Sequence, residues 1–516
     1  MTTEHGRNVP RALSALAFLL PLVSFFLCLG SAPLFDVDEG AFSEATREMF
    51  ARGDFLSTYM DGEHRFDKPI LVYWLQAIGY LMFGPTEWAF RVPSAVAAAI
   101  WSYSTWQFAR ERFGPQVATA ALVIASTALG PFIIGRAATA DALLNLLLAL
   151  TLFDAWRHLE TGKRAPLLRS YLWMGLGVLT KGPIAIIVPA AVTLLYCLSR
   201  GQWRRWLKSV FNPVGWGLLL VLVVPWYAYT LGVHGQLFID GFFLKHNVKR
   251  FTGTLEGHTG SMFYYVLIVP VLLLPWSGPL FAAMRRVFSD RDTGVRRFLW
   301  IWAAFVVIFF SLSGTKLPHY ALYGATPLFL LIAAHRDELK RGWPHLVPAG
   351  LFLAVLPLIP SVLGYLSTTD AGDAYQRAQF ARALDVVSPT YYLVTLLGPA
   401  LWIAFAVFSV QKIWVRLAGA ALVQIVVLST VVTPYLGEVA QGPVKAAGLF
   451  MNALGESATR IRFDTPSFSV YAQHETPRRE PEPGHLAVTR IDRVPPAGYE
   501  TVFEDGGVVV IRRLEP

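Results

Sequence analysis

RALSALAFLLPLVSFFLCLGSAPLFDVDEGAFSEATREMF, residues 11–50, joins an apolar run to a segment crowded with carboxylates. The run 11–33 is long enough to cross a bilayer, which takes ~20 apolar residues. A secretory signal peptide would look similar, but the many apolar runs that follow point to an uncleaved first helix. The acidic segment extends to Phe55 and holds Asp36, Asp38, Glu39, Glu44, Glu48 and Asp54, against only Arg47 and Arg52. A plain connecting loop has no need of that charge.

Of the 516 residues, 54% are hydrophobic and 15% are charged, where soluble domains carry about 25% charged residues. Apolar runs recur along most of the chain, which predicts a mainly α, polytopic membrane protein, because lipid offers no partners to backbone polar groups outside a helix. Spans are expected near 11–33, 89–109, 115–135, 138–156, 168–181, 184–199, 212–233, 261–283, 298–313, 317–334, 344–366, 390–410 and 413–433. Cys28 and Cys197 both fall in apolar spans and read as small buried hydrophobes, with neither a disulfide framework nor zinc-ligand spacing.

The net charge of +9 does not point to nucleic acid, because basic residues fill alternate connections: Arg110/Arg112, Arg157/Lys163/Arg164/Arg169, Arg200/Arg204/Arg205/Lys208, Arg285 to Arg297, Arg336/Lys340/Arg341 and Lys412/Arg416. The positive-inside rule places these in the cytoplasm with the N-terminal tail. Thirteen spans then leave the C-terminus outside, together with residues 34–88, 234–260, 367–389 and 434–516. Residues 70–83 (ILVYWLQAIGYLMF) are too short to span. They read as a helix lying in the interface, with Tyr73, Trp74 and Tyr80 suited to that depth. The chain divides into a membrane domain, 1–434, and a small α/β domain, 435–516, in which ETVFEDGGVVVIRRL reads as a β-hairpin about Asp505-Gly506-Gly507.

Glu39 to Arg52 reads as a short amphipathic helix, with Phe42, Ala45, Met49 and Phe50 on one face and Glu44, Arg47 and Glu48 off it, at its surface or ordering the loop. Asp38 is placed to cap it and Gly53 to stop it. Asp38 nevertheless has company on the same outer level. HRFDKP brings Asp67 and Lys68, and GRAATADALL brings Asp141, which is costly inside a span unless it meets a partner such as Arg136 or a wet cavity. GVLTKGP brings Lys181, KHNVKRF brings Lys245, His246, Lys249 and Arg250, and SGTKLPHY brings Lys316, His319 and Tyr320. Basic groups beside a carboxylate cluster suit an anionic ligand held next to a catalytic acid. His246 near Asp67 or Asp38 would complete a divalent-metal site, or stand solvated. Neither G-x-x-x-x-G-K-[ST] nor a G-x-G-x-x-G after a strand occurs, so no nucleotide cofactor is expected.

In order along the chain, VDEGAFSEATREMFARGDF, FDKPILVYWLQAIGYLMFG, GVLTKGPIAIIVPA, FFLKHNVKRF and FFSLSGTKLPHYALYGATPLFLL resemble the bacterial lipid A aminoarabinose transferases. More broadly they resemble the protein-mannosyltransferase-like (family 39/83) glycosyltransferases with the GT-C fold. The resemblance covers residues 10–340, with RFDTPSFSVYA (462–472) in the tail. It implies an inverting transfer from an undecaprenyl-phosphate sugar at the periplasmic face of a bacterial inner membrane, to lipid A, another glycan or a protein. It also implies roles. Asp38 and Asp141 would be the catalytic acids. Lys68, Arg250 and Tyr320 would hold the carrier phosphate, with Lys181 and Lys316 beside them and Glu39 and Lys249 in support. Asp67 and His246 would be the metal positions. This chain has Asp67 where the aminoarabinose enzymes usually carry Glu, and His319 where Thr is common. A transporter of lipid-linked sugars is the competing class, but transporters show repeats and mid-membrane charges, and neither is evident here.

Overall fold

The computed structural model describes residues 11–249, 260–290, 294–339, 342–370, 372–495 and 497–515, with side chains throughout except at 11–16 and 246–249. Arg250 lies outside the described residues, as do the side chains of His246 and Lys249. The chain is mainly helical. Among the described residues six helices are long and apolar enough to cross a membrane unaided: Asp141–Thr161, Pro213–His234, Gly294–Ser311, Trp343–Ser367, Pro389–Phe408 and Ile413–Leu454. A seventh counts if Pro115–Thr127 and Leu129–Gly135, bent by 58°, form one span. The other runs anticipated from the sequence are also helical, but shorter, more polar or interrupted, as in Glu87–Phe113, Arg164–Lys181 and the pair Tyr264–Leu272 and Ser277–Met284. Between neighbours such as Glu87–Phe113 and Pro115–Thr127 the contact is built from small residues, including Ala95, Ala98, Ala99, Ala118 and Ala121. Small side chains let helix backbones approach closely where lipid supplies no hydrophobic drive.

The acidic segment forms the helix Asp38–Arg52, closed by Gly53 in the left-handed region (φ 66°). Asp38 is its first helical residue rather than its cap: the cap position is Val37, and no side chain satisfies the first turn. The predicted apolar face is present. Phe42, Ala45 and Met49 pack on Ile70, Val72 and Tyr73. The opposite face is not at the surface, contrary to expectation, because Glu44, Arg47 and Glu48 are all buried. The reason lies far along the chain, where the short helix Pro466–Ala472 lies against this face.

Leu71–Phe83 is helical, as expected, with Ile78, Leu81, Met82 and Phe83 exposed. Tyr73 faces inward instead of to the interface. Buried Gln76 bonds three elements at once. It accepts from Thr46 Oγ1 (2.8 Å) and donates to the carbonyls of Phe90 and Ala138 (both 3.3 Å).

The helix Thr433–Leu454 continues the last span, so the chain passes residue 435 without a break, and the strands begin only at Ala458. Four strands then form one sheet in the order Ala458–Arg460, Leu486–Arg490, Val508–Arg513, Tyr499–Asp505, the first pair parallel and the others antiparallel. The hairpin about Gly506-Gly507 is as expected, with Asp505 opposite Val508. Its inner face meets Val444, Ala447 and Met451 of the long helix and Phe468 of the short one.

Gln76→Leu should remove the side-chain donors from the Ala138 and Phe90 carbonyls and the acceptor from Thr46, and lower stability by about 1–3 kcal/mol, read as a fall in the thermal midpoint of the detergent-solubilised protein.

Candidate active site

A cavity of about 1270 Å³ opens where the acidic helix, the start of Asp141–Thr161, the end of Arg164–Lys181, the turn at Leu317–His319 and the tail domain converge. Asp38, Glu39, Asp67, Lys68, Asp141, Lys181, Lys245 and His319 all line it. The structure therefore brings together side chains that the sequence placed on one outer level from six separate segments. Tyr320 and Lys316 are not among the described residues that line it. Tyr320 is buried with its ring 5.6 Å from the Lys181 ammonium, and Lys316 donates to the Ser313 carbonyl at 2.8 Å.

The cavity's carboxylates differ in their environments. Glu39 is buried and fully engaged. Arg91 grips it with two bonds, 2.9 and 2.7 Å, while the backbone N–H groups of Ala138 and Phe35 donate to it at 2.7 and 2.9 Å. The same guanidinium donates to the carbonyls of Leu29, Ala32 and Pro33. Asp141 accepts from Lys181 Nζ (2.6 Å) and the Tyr323 hydroxyl (2.9 Å), with His319 Nε2 at 3.8 Å. Its partner is thus Lys181, not Arg136, which donates instead to the carbonyls of Ser24 and Cys28. Asp38 is exposed to the cavity and makes no hydrogen bond or ion pair among the described residues. Glu63 also lines the cavity exposed, so Asp38 is one of two cavity carboxylates without a partner among the described residues.

Asp67 has Lys68 Nζ on Oδ1 (2.6 Å) and Arg65 on Oδ2 (3.1 Å). A divalent ion at Asp67 would have to displace these two cations, and the side chain of His246, the other expected metal position, lies outside the described residues. The lysines supply the anion-attracting side. Lys245 is exposed to the cavity, while Lys68 and Lys181 are shared with acids.

A second charged cluster, two of whose members, Asp61 and Arg460, also line the cavity, ties the acidic helix to the tail. Arg47 holds Glu44 with two bonds (2.8 and 2.7 Å), and Glu48 accepts from the backbone of Asp61 and Gly62. Asp61 in turn meets Arg460 and Ser469. Burial pushes the carboxyl groups of Glu44 and Glu48 up. Asp36 accepts from Thr465 and Ser467, and burial pushes its carboxyl up to about 6 against those donations. Arg91, Arg65, Asp36 and Tyr323 were missed by the sequence reading. Arg91 had a signal: like Lys181, it is a cation at the outer end of an apolar run, where the positive-inside rule disfavours one. Cys28, read as buried, is exposed and lines the cavity.

Residues 67–229 match the family described as dolichyl-phosphate-mannose-protein mannosyltransferase. Over 323 residues the chain is 32% identical to an undecaprenyl phosphate-alpha-4-amino-4-deoxy-L-arabinose arabinosyl transferase of Pseudomonas paraeruginosa, covering 60% of this chain and 56% of that one. This chain thus spans little more than half the length of that relative. A second such transferase, from Pseudomonas fluorescens, is 27% identical over 473 residues, 87% of this chain and 83% of that one. The crystal structure of ArnT from Cupriavidus metallidurans bound to undecaprenyl phosphate superposes with a TM-score of 0.80 over 98% of both chains, at 23% identity, so the fold is shared. The chain is aminoarabinose-transferase-like in sequence and in fold, as its motifs suggested.

Removing the charge from Arg91 should strand Glu39. Arg91→Met is expected to cost about 3–5 kcal/mol, and the double variant Arg91→Met/Glu39→Leu should recover much of it. Thermal unfolding of the purified variants measures both.

Proposed function

We propose that this chain is an inverting membrane glycosyltransferase that moves 4-amino-4-deoxy-L-arabinose from undecaprenyl phosphate to lipid A at the periplasmic face of a bacterial inner membrane. The observation that carries the reading is the cavity itself, where the exposed carboxylate of Asp38 shares a volume with Lys68, Lys245 and the Lys181–Asp141 pair. The relatives named above supply the sugar and the carrier.

In this reading the chain crosses the membrane thirteen times, with the N-terminus cytoplasmic and the cavity and tail domain periplasmic. The alternation of basic connections and the helical character of every anticipated run support it. The carrier leaves as a phosphate, which needs no protonation, and cations at the cavity wall offset the charge that builds on it. Lys68 and Lys245 take that part, and the resemblance of the sequence adds Arg250 to it. Lys181 stays with Asp141, and the pair fixes the far wall with Tyr323 and His319. Asp38 orients the acceptor for attack on the anomeric carbon. A phosphate acceptor is already anionic at neutral pH, so Asp38 positions it; a hydroxyl acceptor would use Asp38 as base, typically contributing about 10²–10⁴-fold. A sugar transferred to protein is the second reading, favoured by the family match over residues 67–229.

Asp38→Asn should lower transfer from undecaprenyl-phosphate aminoarabinose to lipid A by about 10²-fold, the loss that a misplaced acceptor carries, with binding of undecaprenyl phosphate kept within about threefold. Wild-type turnover in that variant, at equal protein level, overturns the assignment.

A further inference from the structure

We propose that Asp36 is a positioning residue for the transfer, through which the tail domain holds the Asp38 carboxylate in the cavity. The proposal rests on the reading of Asp38 given above.

The chain around Asp38 is pinned on both sides. After it, Glu39 is fixed by Arg91 and by the backbone of Ala138 and Phe35. Before it, Asp36 is fixed by residues from the other end of the protein. Its Oδ2 accepts from Thr465 Oγ1 at 2.6 Å and Ser467 Oγ at 2.5 Å, and its Oδ1 accepts from the Ser467 backbone N–H at 3.0 Å. Thr465 and Ser467 are both buried. The closeness of this contact dictates Gly40, one turn along the helix. A Cβ there would sit 2.0 Å from Asp36 Oδ1 and 2.5 Å from Ser467 N. A side chain at position 40 would drive the two partners apart.

Asp38 has no such restraint on its own side chain, so its place depends on the backbone between these two anchors. Carboxylate placement matters steeply in a near-attack geometry, where a displacement of about 1 Å can cost about 10²-fold in rate. The latch is also separable from docking of the tail. Asp61 accepts from Ser469 Oγ and pairs with Arg460. The Tyr471 hydroxyl accepts from Leu34 N–H and donates to Glu87, and Arg52 meets Glu475. These contacts hold the tail in place when the hydroxyls of Thr465 and Ser467 are removed.

The test is steady-state transfer by the purified full-length protein, with undecaprenyl-phosphate aminoarabinose and lipid A, for Thr465→Val/Ser467→Ala, Gly40→Ala and Asp36→Asn. The double variant should lose tenfold or more in kcat, with KM for both substrates within twofold and the thermal midpoint close to wild type. Restoring only one hydroxyl, in Thr465→Ser/Ser467→Ala, should recover most of the loss. Gly40→Ala should lower kcat in the same way. Wild-type kcat in the double variant overturns the proposal, and so does a loss that Thr465→Ser does not relieve. Asp36→Asn as inactive as Asp38→Asn, beside a fully active double variant, would place Asp36 in direct contact with substrate and overturn it too. Asp38→Asn run alongside separates the two claims. If it abolishes transfer while the double variant is unaffected, only this proposal fails. If Asp38→Asn is itself active, the reading of the site fails first.

Discussion

The buried pairing of Glu39 with Arg91 sets the geometry on which the cavity depends. One guanidinium gathers a carboxylate and three backbone carbonyls from the end of the first apolar run, and the carboxylate gathers two backbone N–H groups in return. Burying two charges is costly unless their remaining hydrogen-bonding capacity is met. Here every oxygen of Glu39 has a partner, which turns an expensive pair into a rigid one. The chain leaves the first helix at a fixed angle, and Asp38, next along, is delivered to the cavity.

Charge in this part of the molecule is sorted into anchored and open groups. Glu39, Glu44, Glu48 and Asp61 are spent on structure, each held by an arginine or by backbone N–H groups. Asp141 belongs with Lys181, between the ends of two helices. Asp38 and Lys245 remain exposed to the cavity. That sorting is what a transfer site needs. Preorganised groups that do not move hold a few that can meet substrate. The tail domain is part of the arrangement, since its short helix covers the acidic helix and its side chains reach the loop on which Asp38 stands.

Local signals made much of this legible. The acidic helix and its Gly53 stop, the helix 71–83 and the hairpin at Gly506-Gly507 follow from period and turn chemistry, which act over a few residues. Part of the cavity was legible from charge, because cations at the outer ends of apolar runs stand against the expected bias, but Asp36, Arg65 and Arg91 in its lining were not singled out, and Lys316 and Tyr320 were expected there and do not line it. What stayed hidden was pairing. For Asp141 the sequence offers nearby Arg136 or a wet cavity, and the helix ends bring Lys181 to it at the cavity wall. Glu44 and Glu48 were placed at a surface because their cover comes from segments hundreds of positions away. The contact between Asp36 and Ser467 joins residues 431 positions apart, and no pattern within one segment announces it.

The central claim is that this cavity transfers an aminopentose onto lipid A, and the most direct measurement is the mass spectrum of lipid A. It is taken from cells that make the lipid-linked donor but lack their own transferase, with and without this chain. The account predicts an aminopentose adduct that appears only with the chain and disappears with Asp38→Asn. Unmodified lipid A, with the protein present in the membrane and the donor accumulating, would contradict it.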